Sequence, residues 1–449
     1  MKPAFAWLVA LLGCTPPSRA LPVVASVGGS AEGGSSGGCD DASALWVDNV
    51  AGDNAAAGTE AAPVADLDAA LARGDGCAQI RLVATGTGYA GACILRDDVT
   101  ILGVGGRPRI DAPVVCDERL VGLFVRASHV RLEHLEIDIS ANVGVEARAV
   151  VFSGTPMSTI ADAHAIDVLA LGPGATASGR ALMSSSLCSG CSFERCTVRD
   201  AEGAGIDFQN HQDDITIAGN TIQRAGAGCI GVNGEPAAAQ VGDDVLDGIS
   251  RGVHIVDNRL EACGGDPAIH LASVREAEVI GNVVAGAPSG ALLLDDDGVG
   301  EAEFASYDAL VAHNTFDCRD CESPAIRVRS GTGNHIVDNI VLGAIVAADV
   351  DGAEVAFDHN AYEPEASFVH DGEGASWAQW RDLGFDVATL VTPTAGFFVD
   401  ADGGDYHLVA TALAIDAGVD VGVTHDLDGT ARPQGAAVDL GAYEFIDDG

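Results

Sequence analysis

Asp207, His270 and Arg327 fall in one column, and Gln209, Asn233, Asp295 and Arg329 in a second, when five stretches are aligned on a recurring asparagine. The stretches are 205–209, 229–233, 268–272, 291–295 and 325–329. Their apolar residues alternate, as strands with one buried face require, so both columns face outward. Gly231 and Leu293 complete the first column and Ala272 the second, while His211, Asp213, Asp214, Asp296 and Asp297 stand in loops at the same edge. A polar strip with small residues in it makes a shallow groove suited to an extended polysaccharide, with Asp207, Gln209, His211, Asn233 and Asp295 as its lining.

The spacing limits the chemistry. Glycoside hydrolysis needs two carboxylates ~5–9.5 Å apart. Asp207 and Asp295 are separated by three coils, roughly 14 Å at ~4.8 Å per coil, which excludes them as acid and base. Elimination beside a uronate needs a base at the sugar C5 and a cation to neutralise the carboxylate. His270 as base with Arg327 or Arg329 as neutraliser spans about two coils, on the order of 10 Å, and works only if long side chains reach inward. The plainer role for a His or Arg on such a face is solubility. Lys2 is the only lysine, so a chain without its leader has none, which rules out Schiff-base chemistry, lysine-activated elimination and a phosphate-binding P-loop.

The asparagines identify what positions these columns. They recur between apolar runs at Asn220, Asn258, Asn282, Asn314, Asn339 and Asn360, with Cys196 in the same slot upstream, at steps of 24, 38, 24, 32, 25 and 21 residues. Short alternating strands at such a period indicate a solenoid or a propeller. A propeller blade needs recurring hairpin turns, and none recur. In a parallel β-helix an inward Asn satisfies backbone groups at a sharp corner, and stacked Asn side chains bond along the axis. Loops of any length can leave a corner, which explains the uneven period. The expected fold is therefore all-β, a right-handed parallel β-helix, with a short capping helix at 65–73 over its first coil and a C-terminal cap.

The N-terminal residues set the compartment. Lys2 precedes an apolar run, 5–12, too short to span a bilayer, which reads as a signal peptide. It ends in Leu11-Leu12-Gly13-Cys14, which resembles the bacterial lipobox with a larger residue than usual at Leu12. Cys14 is then the lipidated residue, the membrane is contacted through that lipid only, and the protein is secreted to the outer membrane or cell surface. The alternative is cleavage near Val23-Val24-Ala25 and free secretion. The expected organisation is a signal peptide at 1–13, a Gly/Ser-rich tether at 14–44, an N-terminal cap and first coils at 45–115, coils at 116–362 and a C-terminal cap at 363–449. A net charge of −43 excludes non-specific nucleic-acid binding and is compatible with Ca2+ or with a well-solvated surface. Twelve cysteines in an exported chain suggest disulfides. Cys77 with Cys93 is the expected bridge across the first coils. Cys188 with Cys191 and Cys318 with Cys321 lie four coil steps apart, ~19 Å or more, too far to share zinc, and read as local pairs.

The C-terminal stretch carries a resemblance. Trp380, Leu383-Gly384-Phe385-Asp386, Phe398-Val399-Asp400, Gly404-Asp405-Tyr406-His407-Leu408, Ala414-Ile415-Asp416-Ala417-Gly418, Asp426-Leu427-Asp428-Gly429, Arg432-Pro433 and 438–444 occur in order. This pattern resembles the choice-of-anchor Q domain, and the middle of the chain resembles the pectate-lyase-like β-helix class. The resemblance implies a terminal cap and attachment to a cell. Asp400, Asp402 and Asp405 have the outline of a calcium loop, but Ca2+ needs six to eight converging oxygens; the alternative is that they cap turns. Two functional readings follow: a surface protein that binds extracellular polysaccharide or acts as an adhesin or scaffold, and a polysaccharide lyase or epimerase acting on uronate-containing glycans.

Overall fold

The computed structural model describes residues 44–447 apart from 74–77, 143–144, 156–157, 173–179, 235–239, 242–243, 246–247, 297, 299–303, 344 and 351–353. Three long sheets run the length of the molecule, and the chain visits them in turn, so that strands pair in parallel from one coil to the next, with Val114–Cys116 and Glu373–Ala375 as antiparallel additions to the third. This is a right-handed parallel β-helix. Sheet 1 begins with Leu45–Val47 and ends with Val355–Asp358, sheet 2 runs from Tyr89–Ala90 to Leu390–Val391, and sheet 3 runs from Ala92–Ile94 to Glu373–Ala375. The alternation in the sequence fills the interior. Ile101, Leu132, Ala165, Phe193, Ile217, Ile255, Val279, Val311 and Ile336 stack in one sheet 1 row, all fully buried.

The asparagines sit at the corner between sheets 1 and 2. The residue before each rung is left-handed: Arg195, Gly219, Asp257, Gly281, His313, Asp338 and His359 have φ between 50° and 68°. Gly, Asp and His tolerate that conformation better than most residues, and so the rungs read as Gly-Asn, Asp-Asn or His-Asn. Each rung accepts two bonds at Oδ1 from the rung before. Asn258 Oδ1, for example, receives the backbone N–H and the side-chain amide of Asn220, both at 2.9 Å. The same pattern continues through Asn282, Asn314, Asn339 and Asn360. Each amide also donates to a carbonyl of an adjacent coil, as Asn282 does to Ile255 at 2.9 Å. A buried rung left unpaired costs about 1–3 kcal/mol, so the column favours a single register. It starts at Cys196, whose backbone N–H donates to Asn220. It ends at Asp386, which accepts from Asn360 at 3.1 Å, Trp380 at 2.8 Å and Thr389 at 2.7 Å. An ionised carboxylate only accepts, so it suits the end of a chain of donors.

Helix α1, Leu67–Leu71, is a single turn and shorter than expected. It buries Leu67 and Ala70 over the first coil. Helix α2, Trp377–Asp382, opens with a capping box between Ser376 and Gln379. Its Trp380 is fully buried against Phe385, Phe368 and Phe357, with ring centroids 4.2–5.5 Å apart, and closes the far end. The expected C-terminal cap does more than this. After Leu390–Val391 the tail turns back along sheet 2, burying Phe397, Phe398, Tyr406, Leu408, Leu440 and Tyr443 against Val283, Ile340, Leu342 and Ala361. The cause is written in the strands. Ile340–Leu342 and Val283–Ala285 are apolar at every position, the mark of strands covered on both faces.

The disulfides correct one expectation. Cys93 bonds Cys116, not Cys77. Strand Val114–Cys116 folds back as a hairpin on Arg119–Val125, the neighbour of Cys93, and brings the two Cα atoms to 6.0 Å. Cys77 lies outside the described residues. Cys229 and Cys263 join adjacent coils, and Cys188–Cys191 and Cys318–Cys321 close locally. Cys196 is a buried free thiol, which burial pushes up to about 12.

Candidate functional site

The outer face of sheet 3 carries both columns. Strand register places Met183, Asp207, Gly231, His270, Leu293 and Arg327 in one row. Gln209, Asn233, Ala272 and Asp295 form the next row. Arg329 follows it, its backbone N–H donating to Leu294 at 2.9 Å. Long connections leave this face after Asn233 and Asp295, at 234–249 and 296–309, whereas the other coils turn from it into sheet 1 within one to seven residues.

Two hydrogen-bonded groups organise the strip. Asp207 is only 2 % exposed and pairs with the Arg180 guanidinium. Gln209 donates to its Oδ2 at 2.8 Å and Asn233 to its Oδ1 at 3.4 Å. Burial pushes this carboxyl above the ordinary range, opposed by Arg180 and Gln209. Gly231 lies beside it, where an added Cβ would come within 3.0 Å of Asp207 Oδ1 and 3.3 Å of Asn233 Nδ2. The second group is His270, Asp295 and Arg329. Asp295, 3 % exposed, lies 3.0 Å from His270 Nε2 and 3.4 Å from Arg329 Nη1. An imidazole donating from Nε2 keeps its basic lone pair on Nδ1, the geometry that orients a histidine for proton transfer.

Other residues fall elsewhere. Arg327 is held by Asp349, to which it donates from Nε at 3.0 Å and Nη2 at 2.7 Å. Both expected neutralisers therefore already carry a carboxylate partner, which weakens them as cations for a uronate. His211 stands at the turn into sheet 1, 3.2 Å from Asp213, rather than within the rows. Asp296 caps Gly298, and Asp297 and Cys14 lie outside the described residues. Arg180 and Asp349 were not anticipated: neither stands in the aligned columns, and each joins the strip from a position before or after its strand.

The aspartates with a calcium-loop outline do not converge. Asp400 accepts from Gly403 at 3.0 Å, Asp402 pairs with Arg319 at 2.5 Å, and Asp405 pairs with His407 at 2.6 Å. Among the described residues no group of three or more His, Cys, Asp or Glu side chains is arranged to hold a metal ion.

A second concavity, about 580 Å3, lies between tail residues 423–429 and the corners at Gly219 and Asp257. Its floor borders a buried ionic cluster. Arg432 donates to Glu444 at 3.0 Å and to the carbonyls of Asp439 and Gly441. Asp338 accepts from Val419 N–H at 3.1 Å, and burial pushes its carboxyl up to about 8. Burial likewise raises Asp257 to about 7, opposed by Arg432 and reinforced by Asp426. His313 Nε2 lies 3.6 Å from Asp338, and burial holds that imidazole well below its ordinary value, hence neutral.

No family model and no curated protein matches this chain. Among solved structures it is similar to a GH136 lacto-N-biosidase from Eubacterium ramulus at 12 % identity and TM-score 0.41, covering 78 % of this chain and 67 % of that one. It is similar to a pectate lyase, Pel9A, at 14 % identity and TM-score 0.40, covering 90 % and 97 %. An Azotobacter vinelandii mannuronan C-5 epimerase A-module aligns at 15 % identity and TM-score 0.40, covering 73 % and 93 %. At these scores the likenesses carry nothing about activity, and the fold rests on the strand pairing itself.

Proposed function

We propose that the outer face of sheet 3 binds an extended extracellular polysaccharide, and that the protein is a surface-displayed binding protein, adhesin or scaffold. The supporting observation is that successive coils place hydrogen-bonding side chains in two adjacent rows over roughly 20 Å, Gln209, Asn233, Asp295 and Arg329 in one and His270 in the other. Such rows match a linear, repeating ligand better than a compact one. The buried, paired state of Asp207 and Asp295 suits groups that orient the exposed side chains around them rather than hydrolytic acid and base. Anchoring through Cys14 and membership of the choice-of-anchor Q group belong to the same reading. Palmitate labelling that survives Cys14→Ser would remove the anchor from it.

The test is a glycan array followed by calorimetry on the best ligand. Binding should fall roughly tenfold in Asn233→Ala and His270→Ala, the size expected for one lost hydrogen bond to a charged or polar partner. The His270–Asp295 pair favours a second reading, proton abstraction by a lyase or epimerase. Unsaturated-uronate absorbance from acidic polysaccharides, abolished in His270→Ala, would replace binding with elimination.

A further inference from the structure

Upstream of Asp207, sheet 3 gathers three guanidinium groups that the aligned columns do not reach. Arg148 lies on strand Ala147–Phe152, and its side chain is 9 % exposed. It donates from Nε to Met183 Sδ at 3.2 Å and pairs with Glu146. Arg180 pairs with Asp207. Arg119 reaches two stacked hydroxyls, Ser185 Oγ at 3.1 Å and Ser153 Oγ at 3.4 Å. These serines follow Ser184 and Phe152, so they continue the row of Gln209 and Asn233 toward the N-terminal end.

The charges here are unevenly matched. Asp117 is taken by Arg126 at 2.5 Å and Glu146 by Arg148. Among the described residues, no carboxylate lies within ion-pair distance of Arg119. Its positive neighbours are felt nearby: burial first, then Arg119 and Arg180, draw Arg148 below its ordinary value, against the pull of Glu146. In a chain of net charge −43, these clustered guanidiniums offer an anion charge-assisted donors. Space for one is present. A cleft of about 650 Å3 is lined by Arg119, Arg148, Leu120 and the exposed Val115 and Val145, with three acids also at its wall: Asp117 and Glu146, already paired with Arg126 and Arg148, and Glu118. Charged donors beside exposed apolar side chains suit an acidic sugar, whose anionic group and ring face need different partners.

We propose that Arg119, backed by Arg148, is an anion subsite at the N-terminal end of the groove, taking a carboxylate or sulfate ester of the polysaccharide. This deepens the groove reading and rests on it for the ligand's course along sheet 3. The test compares wild type, Arg119→Gln and Glu118→Gln against polygalacturonate, a sulfated galactan and a neutral galactan, with inorganic sulfate as a separate probe at matched ionic strength. Wild type should prefer an acidic glycan over the neutral one by roughly tenfold, and which acidic glycan binds identifies the anion. Arg119→Gln should abolish that preference, and Glu118→Gln should strengthen it. Sulfate should raise Tm in wild type and Glu118→Gln but not in Arg119→Gln. Acidic glycans held equally by Arg119→Gln and wild type would overturn the subsite and leave the groove standing. Stabilisation by sulfate through Arg119 without any glycan binding would support the subsite and sink the groove. No response to sulfate and no glycan binding would reject both.

Discussion

On sheet 3, the acids have partners of their own: Asp207 meets Arg180, Asp295 meets Arg329 and the His270 imidazole, and Asp349 meets Arg327. Beneath the tail the proportion is reversed. Arg432, with a fully buried side chain, is shared electrostatically among Glu444, Asp426, Asp439 and Asp338, and it also draws on Asp257. His313 adds no charge there, because burial keeps it neutral. Acids outnumber cations, and protons make up the difference. One region is held by ion pairs; in the other, burial beneath the docked tail raises Asp338 to about 8 and Asp257 to about 7. That contrast makes the contact between tail and coils a pH-sensitive part of the molecule.

The largest effect should come from Arg432→Met, which leaves several buried acids without their cation. A loss of about 3–5 kcal/mol is expected, read by denaturant unfolding and by proteolysis within the tail. Arg327→Met, its counterpart on sheet 3, removes a partly exposed pair and should cost about 1 kcal/mol or less. Equal losses would erase the contrast. Asp386→Ala strands Asn360, Trp380 and Thr389 as donors at the end of the asparagine column, and should cost roughly 2–4 kcal/mol.

The pH dependence sharpens the comparison further. Asp338 is held at about 8 in the folded protein, far above the carboxyl range of an unfolded chain. Between about pH 4 and pH 8 the folded state therefore keeps a proton that the unfolded state has released, and stability falls as pH rises. One such proton gives a limiting slope of about 1.4 kcal/mol per pH unit. Asp338→Asn should flatten the profile in that window; a wild-type Tm independent of pH from 5 to 8 would contradict the protonated interface. The smallest effect is expected on the exposed aspartates. Chelator treatment and Asp402→Ala should each change stability by about 0.5 kcal/mol or less, since Asp400, Asp402 and Asp405 already bond within the protein.

Much of this architecture was readable from residue types. Each rung of the column combines a left-handed residue with an inward Asn, and both leave a mark in sequence, so the register of sheet 3 from Asp207 to Arg327 could be drawn in advance. Upstream of Cys196 no Asn marks the corners. There the alignment had no reference point, and Arg119, Arg148 and Arg180 went unnoticed although they share the same face. Burial of Asp207 and Asp295 was hidden for a different reason, since it depends on side chains from other coils folding over them. The tail's course along sheet 2 did have a signal, the unbroken apolar strands 283–285 and 340–342, but only register shows which of their faces needs a cover.

The tail also changes how the molecule would respond to being pulled. Its bonds cross several coils: Asp428 to Arg259, Asp439 to His313, Ala442 to Thr315 and Val419 to Asp338. A stack of coils that contact only their neighbours would peel from its free end one turn at a time. A turn of 24 residues, as between Asn258 and Asn282, gives an extension of roughly 80 Å. A strap fastened across those turns has to tear loose first. Tension on the C-terminal end should therefore meet one high-force rupture before any stepwise unravelling, as a splinted rod breaks its splint before it bends.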